Sequence, residues 1–178
     1  MRIVGTYSFN GGAETIQKSY ATELNEVTQI LSGIDARVCA TKQTGNDSKS
    51  AKLLYSNHKI AKSINGEFKK LGWKKQEIVS DQPSKSMNKS VKIDFTKKHL
   101  GVDVGFNNKP LPIYSGCAKM TIFHNMGFIN VGIEIVPVKE LAEDMSSGVS
   151  YFEQFVWDLE QRGVSDIDIP VLILGVAP

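Results

Sequence analysis

Asp94 and Asp103 stand nine residues apart in the stretch Val91-Lys-Ile-Asp94-Phe-Thr-Lys-Lys-His-Leu-Gly-Val102-Asp103-Val-Gly105-Phe106. The residues on either side of Lys97-Lys98-His99 read as two short neighbouring strands joined by a basic turn. Two carboxylates on adjacent strands converge and offer hard oxygen ligands to Mg²⁺, an ion that keeps waters for use as nucleophiles. The same spacing also suits two solvent-facing strand acids among lysines, because an acid pair at this separation is unspecific.

Other residue types invite chemistry less directly. Glu134 lies in the apolar Val131-Gly-Ile-Glu-Ile-Val, where a buried acid must be paired or protonated. It is read as a third member of the acid site, as the partner of Lys139, or as an outward-facing acid on a half-exposed strand, and the last is the plainest expectation. Glu77 is a further candidate carboxylate on position alone. His58, His99 and His124 have no mutual ligand spacing, so His99 is expected as a solvated turn residue and His124 on a helix surface. Ser146, Ser147, Gly148 and Ser150 suit either hydrogen bonding to bases and phosphates or a helix N-cap.

The elements that must position these residues follow from periodicity. Residues 2 to 7 read as a strand, and Ile16, Tyr20, Leu24, Val27, Ile30 and Leu31 mark one buried stripe of a helix over about 13 to 32. A second strand is expected over 35 to 40, a basic polar loop over 42 to 50, and a helix over 56 to 71 with Ile60, Ile64, Phe68 and Leu71 inside. Strand 73 to 79 and loop 81 to 90 precede the acid-bearing pair, whose second strand is broken by Pro110 and Pro112. Beyond it come a helix over 115 to 126, a strand over 130 to 137, a helical turn over 139 to 145, a helix over 149 to 161, and a closing apolar strand from Ile169 that reads as buried on both faces. Strands in the middle with helices on the flanks give an α/β sandwich.

At 178 residues the chain suits one domain, residues 1–178, with a core that needs no disulfide or metal clip. The formal net charge is only +2, yet fourteen lysines fall between positions 42 and 98 while the last forty residues are net acidic. A basic surface on one side is expected, which suits phosphate contact. Cys39 and Cys117 lack any ligand spacing and read as reduced thiols of a cytoplasmic protein, a single bridge being the other reading. Neither a signal peptide at Met1-Arg-Ile-Val-Gly nor a membrane-length apolar run is present, so no membrane partner is expected.

Several segments taken together resemble a known family. Val102-Asp103-Val-Gly-Phe-Asn, Cys117-Ala-Lys-Met, Val131-Gly-Ile-Glu-Ile-Val-Pro-Val-Lys-Glu-Leu, Met145-Ser-Ser-Gly-Val-Ser-Tyr-Phe-Glu and the closing Ile-Pro-Val-Leu-Ile-Leu-Gly-Val-Ala-Pro look like the BglII/BstYI group of type II restriction endonucleases. The resemblance implies the restriction-endonuclease-like PD-(D/E)xK fold, an α/β architecture with a central mixed β-sheet flanked by helices. It also implies Mg²⁺-dependent hydrolysis of double-stranded DNA by a homodimer at a palindrome with a GATC core, leaving 5′ overhangs, beside a cognate DNA methyltransferase.

Carried over residue by residue, the resemblance makes Asp94 and Asp103 the catalytic metal ligands, with the carbonyl of Val104 as a further one, and the reaction an in-line attack of water on phosphorus. Ser146, Ser147, Asn108 and Lys109 become the DNA-reading candidates, and the helices at 115 to 126 and 149 to 161 the dimer interface. The chain departs from the family where Asp103 replaces the usual Glu, and where Gly105 replaces a Gln, Glu or Lys. Asn107 and Lys109 are possible substitutes for that third side chain. Loss of a group that positions water costs on the order of a hundredfold in rate. The alternative is therefore a weakened or inactive sequence-specific DNA-binding homologue, and a third reading is an unrelated α/β binding domain with solubilising lysines.

Overall fold

The computed structural model describes residues 1–43, 52–79, 90–106, 114–145, 148–162 and 167–178. In chain order the elements are β1 (Arg2–Phe9), α1 (Gly12–Ser19), α2 (Ala21–Ser32), β2 (Ala40–Gln43), β3 (Lys52–Tyr55), α3 (Asn57–Lys70), β4 (Lys74–Val79), β5 (Ser90–Lys97), β6 (Leu100–Val104), α4 (Lys119–Asn125), β7 (Val131–Pro137), α5 (Lys139–Glu143), α6 (Phe152–Arg162) and β8 (Val171–Ala177). A π-helical turn, Tyr114–Ala118, leads into α4.

Six strands form one mixed sheet in the order β1-β8-β7-β6-β5-β4. The β6–β7 and β7–β8 pairs are parallel, and β1–β8, β5–β6 and β4–β5 are antiparallel. The central parallel strands read as near-continuous apolar runs because both their faces are covered. β7 is buried along its whole length, and β8 up to Ala177. On one face, Ile16 of α1, Val27, Ile30 and Leu31 of α2, and Ile60, Ile64 and Phe68 of α3 pack on Phe95, Val102, Ile133 and Leu172. On the other, Met120 and Phe123 of α4 and Phe155 and Leu159 of α6 pack on Ile93, Val171 and Ile173.

Two devices hold the acid-bearing hairpin of β5 and β6 against the helical layer. Phe68 stacks on Phe95 with ring centroids 4.1 Å apart. The Lys97 ammonium, on β5, bonds both Glu26 carboxylate oxygens at 2.7 and 2.8 Å and the Leu71 carbonyl at 3.0 Å, while Trp73 Nε1 donates to Glu26 at 2.8 Å. The start of α1 meets the sheet so closely that a Cβ on Gly12 would fall on the Val171 carbonyl group.

The fold corrects several expectations. The helix expected over 13 to 32 is two helices, because Tyr20 leaves helical geometry at φ −137° and ψ 30°. α1 packs against β1, β7 and β8 while α2 turns to α3 and β1, and one straight rod cannot serve both sets of partners. No strand spans 35 to 40: the Asp35 carboxylate accepts the Arg37 N–H at 3.0 Å and caps a 3₁₀ turn over Ala36–Cys39. That side-chain bond competes with an extended ladder. β2 begins only at Ala40, and its antiparallel partner β3 was not anticipated. The remainder of the expected loops at 42 to 50 and 81 to 90 lies outside the described residues. Cys39 and Cys117 are free and buried, and among the described residues no helix is long and apolar enough to cross a membrane.

Candidate functional site

The two acids meet because β5 carries one residue too many. Lys74 of β4 pairs with Thr96, but Gln76 pairs with Ile93, so β5 bulges around Asp94 and Phe95. The β5–β6 ladder runs from Lys97↔Leu100 to Phe95↔Val102 and stops. Asp94 is the next residue on that register, opposite Asp103, and instead of continuing the ladder its side chain accepts the Val104 N–H at Oδ2, 3.1 Å away. An extended residue sends its N–H and C=O to the same side, so the Val104 carbonyl also faces the Asp94 edge.

On the other edge of β6, the Gly105 N–H donates to the Ile135 carbonyl at 2.8 Å. Asp103 is the parallel partner of Glu134. Side-by-side partners in a sheet share a face, which sets Asp94, Asp103 and Glu134 in a row across β5, β6 and β7. Asp103 and Glu134 are both buried, with 4% and 2% of their surface exposed. The Glu134 carboxylate occupies space left by two neighbours without side chains: a Cβ on Gly105 would meet its Oε1 at 2.8 Å, and one on Gly116 its Oε2 at 2.9 Å.

A lysine closes the row. Lys119, the first residue of α4, places Nζ 2.5 Å from Asp103 Oδ2, with 11% and 6% of the two side chains exposed. Burial works to lower its pKa, but the Asp103 and Glu134 carboxylates outweigh that and hold it above the ordinary lysine range. Asp94 is displaced in the unfavourable sense: burial first, then the facing Asp103 charge, push it from 3.8 to about 6. Burial followed by the charges of Glu134 and Asp103 likewise raises the Cys117 thiol, which keeps it protonated and inert.

The structure thus brings together Asp94, Asp103, Val104 and, in the reading that made it a third member of the acid site, Glu134. Glu134 is not an outward-facing acid, since β7 is an interior strand covered on both faces, and it is not the partner of Lys139, whose Nζ lies 4.0 Å from Glu143 on the surface. Glu77 is elsewhere, ion-paired to Lys92 at 3.0 Å on the half-exposed β4–β5 rim. His99 is exposed as expected, at positive φ in the turn, whereas His124 is half-buried with Nδ1 2.9 Å from the Ile129 carbonyl. Asn107, Asn108, Lys109, Ser146 and Ser147 lie outside the described residues. Lys119 was given no role from sequence. Its signals were its place in Cys117-Ala-Lys-Met and its being a lone lysine on the apolar helix that carries Met120 and Phe123, and periodicity cannot say which strand such a lysine reaches.

Among the described residues no group of three or more His, Cys, Asp or Glu is arranged to hold a metal ion. The set that fits is smaller. Two facing carboxylates, one of them pushed up by the charge of the other, call for a cation, and with a backbone carbonyl they form the hard-oxygen set of an ion such as Mg²⁺ that keeps several waters.

Comparison with known proteins identifies the family and the fold. The family profile described as restriction endonuclease BglII/BglIII matches residues 4–176. The crystal structure of restriction endonuclease BglII complexed with a DNA 16-mer superposes with a TM-score of 0.77 at 19% identity, over 100% of this chain and 79% of that one. Free BglII superposes with a TM-score of 0.69 at 18% identity, over 100% of this chain and 80% of that one. No curated protein matches by sequence. The restriction-endonuclease-like fold implied by the sequence resemblance is the one found.

Proposed function

The chain belongs to the restriction endonuclease BglII/BglIII family of site-specific DNA nucleases, and on that premise we propose that it is a Mg²⁺-dependent endonuclease of double-stranded DNA. Its target is a palindrome with a GATC core, cut to leave 5′ overhangs. The observation that carries this reading is the convergence of the Asp94 and Asp103 carboxylates where β5 parts from β6.

Asp94, Asp103 and the Val104 carbonyl would hold the ion. When bound, Mg²⁺ supplies Lewis-acid polarisation of the phosphate and lowers the pKa of water. The chain's own residues prepare the place for it. The Val104 N–H fixes Asp94, the Lys119 ammonium bonds Asp103, and the apolar layer of Ile93, Cys117 and Met120 packs around the row.

A palindrome is most simply read by a two-fold dimer. α4 and α6 suit that interface: Ile122 and Met126 on and just after α4, Phe128 beyond it, and Trp157 on α6 are large apolar side chains left 38 to 58% exposed. Ser146, Ser147, Asn108 and Lys109 are the base-reading candidates, and a cognate DNA methyltransferase is the functional partner in the cytoplasm. A variant of this reading, a specific binder that no longer cuts because of Gly105, is separated by one experiment. Purified protein is incubated with unmethylated GATC-rich plasmid and Mg²⁺, beside Asp94→Ala. Discrete fragments from the wild type alone support the nuclease. Specific gel shifts without cutting support the silent binder, and no specific binding at moderate salt refutes both.

A further inference from the structure

We propose that Lys119, reaching in from α4, is the polar side chain that position 105 does not provide, and that Glu134 is the positioning residue that holds it there. The inference rests on the nuclease reading and names a group of that same site. Three observations carry it. First, the space beside Gly105 is occupied: a Cβ there would meet Glu134 Oε1 at 2.8 Å and Val136 Cγ1 at 3.0 Å. A side chain at 105 would displace the Glu134 carboxylate from its present place, so the glycine is the counterpart of a carboxylate delivered from the next strand.

Second, the room is made from both sides, since Gly116, in the turn that leads into α4, would also meet that carboxylate, at 2.9 Å. The close approach it permits brings Lys119, three residues further on, over the row. Third, Lys119 reaches the row of acids: its Nζ bonds Asp103 Oδ2 at 2.5 Å, and Glu134 is the register partner of Asp103 on the next strand. A lysine so placed is a fixed cation beside the two ion-holding carboxylates, in the place where charge develops when phosphate is attacked. Preorganised charge of this kind is worth about 10²–10³ in rate. Glu134 acts through Lys119, aiming it along the row.

The role separates from that of a mere counter-ion by two measurements of opposite sign. In Lys119→Gln the ammonium no longer competes for Asp103, so Mn²⁺ binding to the protein, followed by calorimetry, is expected to be as tight as in the wild type or tighter. kcat on GATC-rich plasmid at saturating Mg²⁺ is expected to fall about a hundredfold with duplex affinity in Ca²⁺ unchanged. Glu134→Gln, which keeps shape and loses charge, is expected to lower kcat at least tenfold with a melting temperature near that of the wild type.

A wild-type kcat in Lys119→Gln at saturating Mg²⁺ overturns the inference and leaves the nuclease reading standing. A Lys119→Gln protein that is folded but binds Mn²⁺ tenfold more weakly also overturns it, since the lysine would then be holding the acids in shape. If Lys119→Gln folds poorly, Lys119→Met and Glu134→Gln decide by the same kcat criterion. A wild-type chain that binds GATC duplexes but cuts in neither Mg²⁺ nor Mn²⁺ refutes the nuclease reading itself, and the inference with it.

Discussion

Asp94→Asn is expected to make the metal-free protein more stable while abolishing cleavage. In the wild type the Asp94 carboxyl is forced from 3.8 to about 6 by burial and the facing Asp103. At about 1.4 kcal/mol per pH unit, that displacement is on the order of 3 kcal/mol of instability in the ionised form. The sign follows from proton counting. Between 3.8 and about 6 the native state binds more protons here than the unfolded chain, so wild-type stability falls as pH rises through that window and is flat above it. Asparagine does not titrate. Its oxygen keeps the bond to the Val104 N–H, 3.1 Å away in the wild type, and its amide donates to Asp103 in place of the repulsion.

For a chain of this length 1 kcal/mol moves the melting temperature by about 2–4 °C, so in EDTA at pH 8 the variant should melt roughly 6–12 °C above the wild type. The gap should narrow to about half at pH 5, where part of the wild-type carboxyl is protonated, and vanish near pH 3. Added Mg²⁺ should stabilise the wild type and leave the variant little changed. Thermal melts by circular dichroism at the three pH values decide the matter. A variant that melts at or below the wild type at pH 8, or a gap independent of pH, refutes the account of the acid pair. The result would place the site among those that give up stability for function.

Other expectations can be checked alongside. Gly105→Ala, which brings a Cβ to 2.8 Å from Glu134 Oε1, should cost about 1–3 kcal/mol in urea unfolding and slow cleavage with duplex affinity kept; an unchanged rate would show that Glu134 has slack. Gly12→Ala sets a Cβ on the Val171 carbonyl group and should cost about 3 kcal/mol or more, because backbone cannot yield as a side chain does; a smaller loss means α1 shifts freely on the sheet. At Glu23, burial raises the pKa, but Lys98 at 2.9 Å together with a backbone bond and Lys97 bring it below 4.5. Its stabilisation is thus present above pH 4.5 and lost as pH falls through the depressed value, and Lys98→Met should destabilise at pH 7 and flatten that acid limb, as urea unfolding across pH would show.

The outline of the fold was legible in the sequence because it rests on local regularities. β7 and β8 announce themselves as β-branched runs, α3 by Ile60, Ile64 and Phe68 on one face, and the acid pair by two strands around a basic turn. The helix break at Tyr20 and the 3₁₀ turn at Ala36–Cys39 were missed because one depends on which neighbours each half of a helix must meet, and the other on a single Asp35 side chain.

The sequence by itself determined that Asp94 and Asp103 sit on adjacent strands and that position 105 has no side chain to offer. Only the tertiary structure decided what stands there instead. The bulge in β5 that turns Asp94 toward Val104, the parallel register that sets Glu134 beside Asp103, and the approach of α4 that delivers Lys119 all depend on how distant segments align. Periodicity assigns a residue to a face of its own element, whereas a site is made of faces brought together across elements, and that alignment is set by packing over the whole sheet.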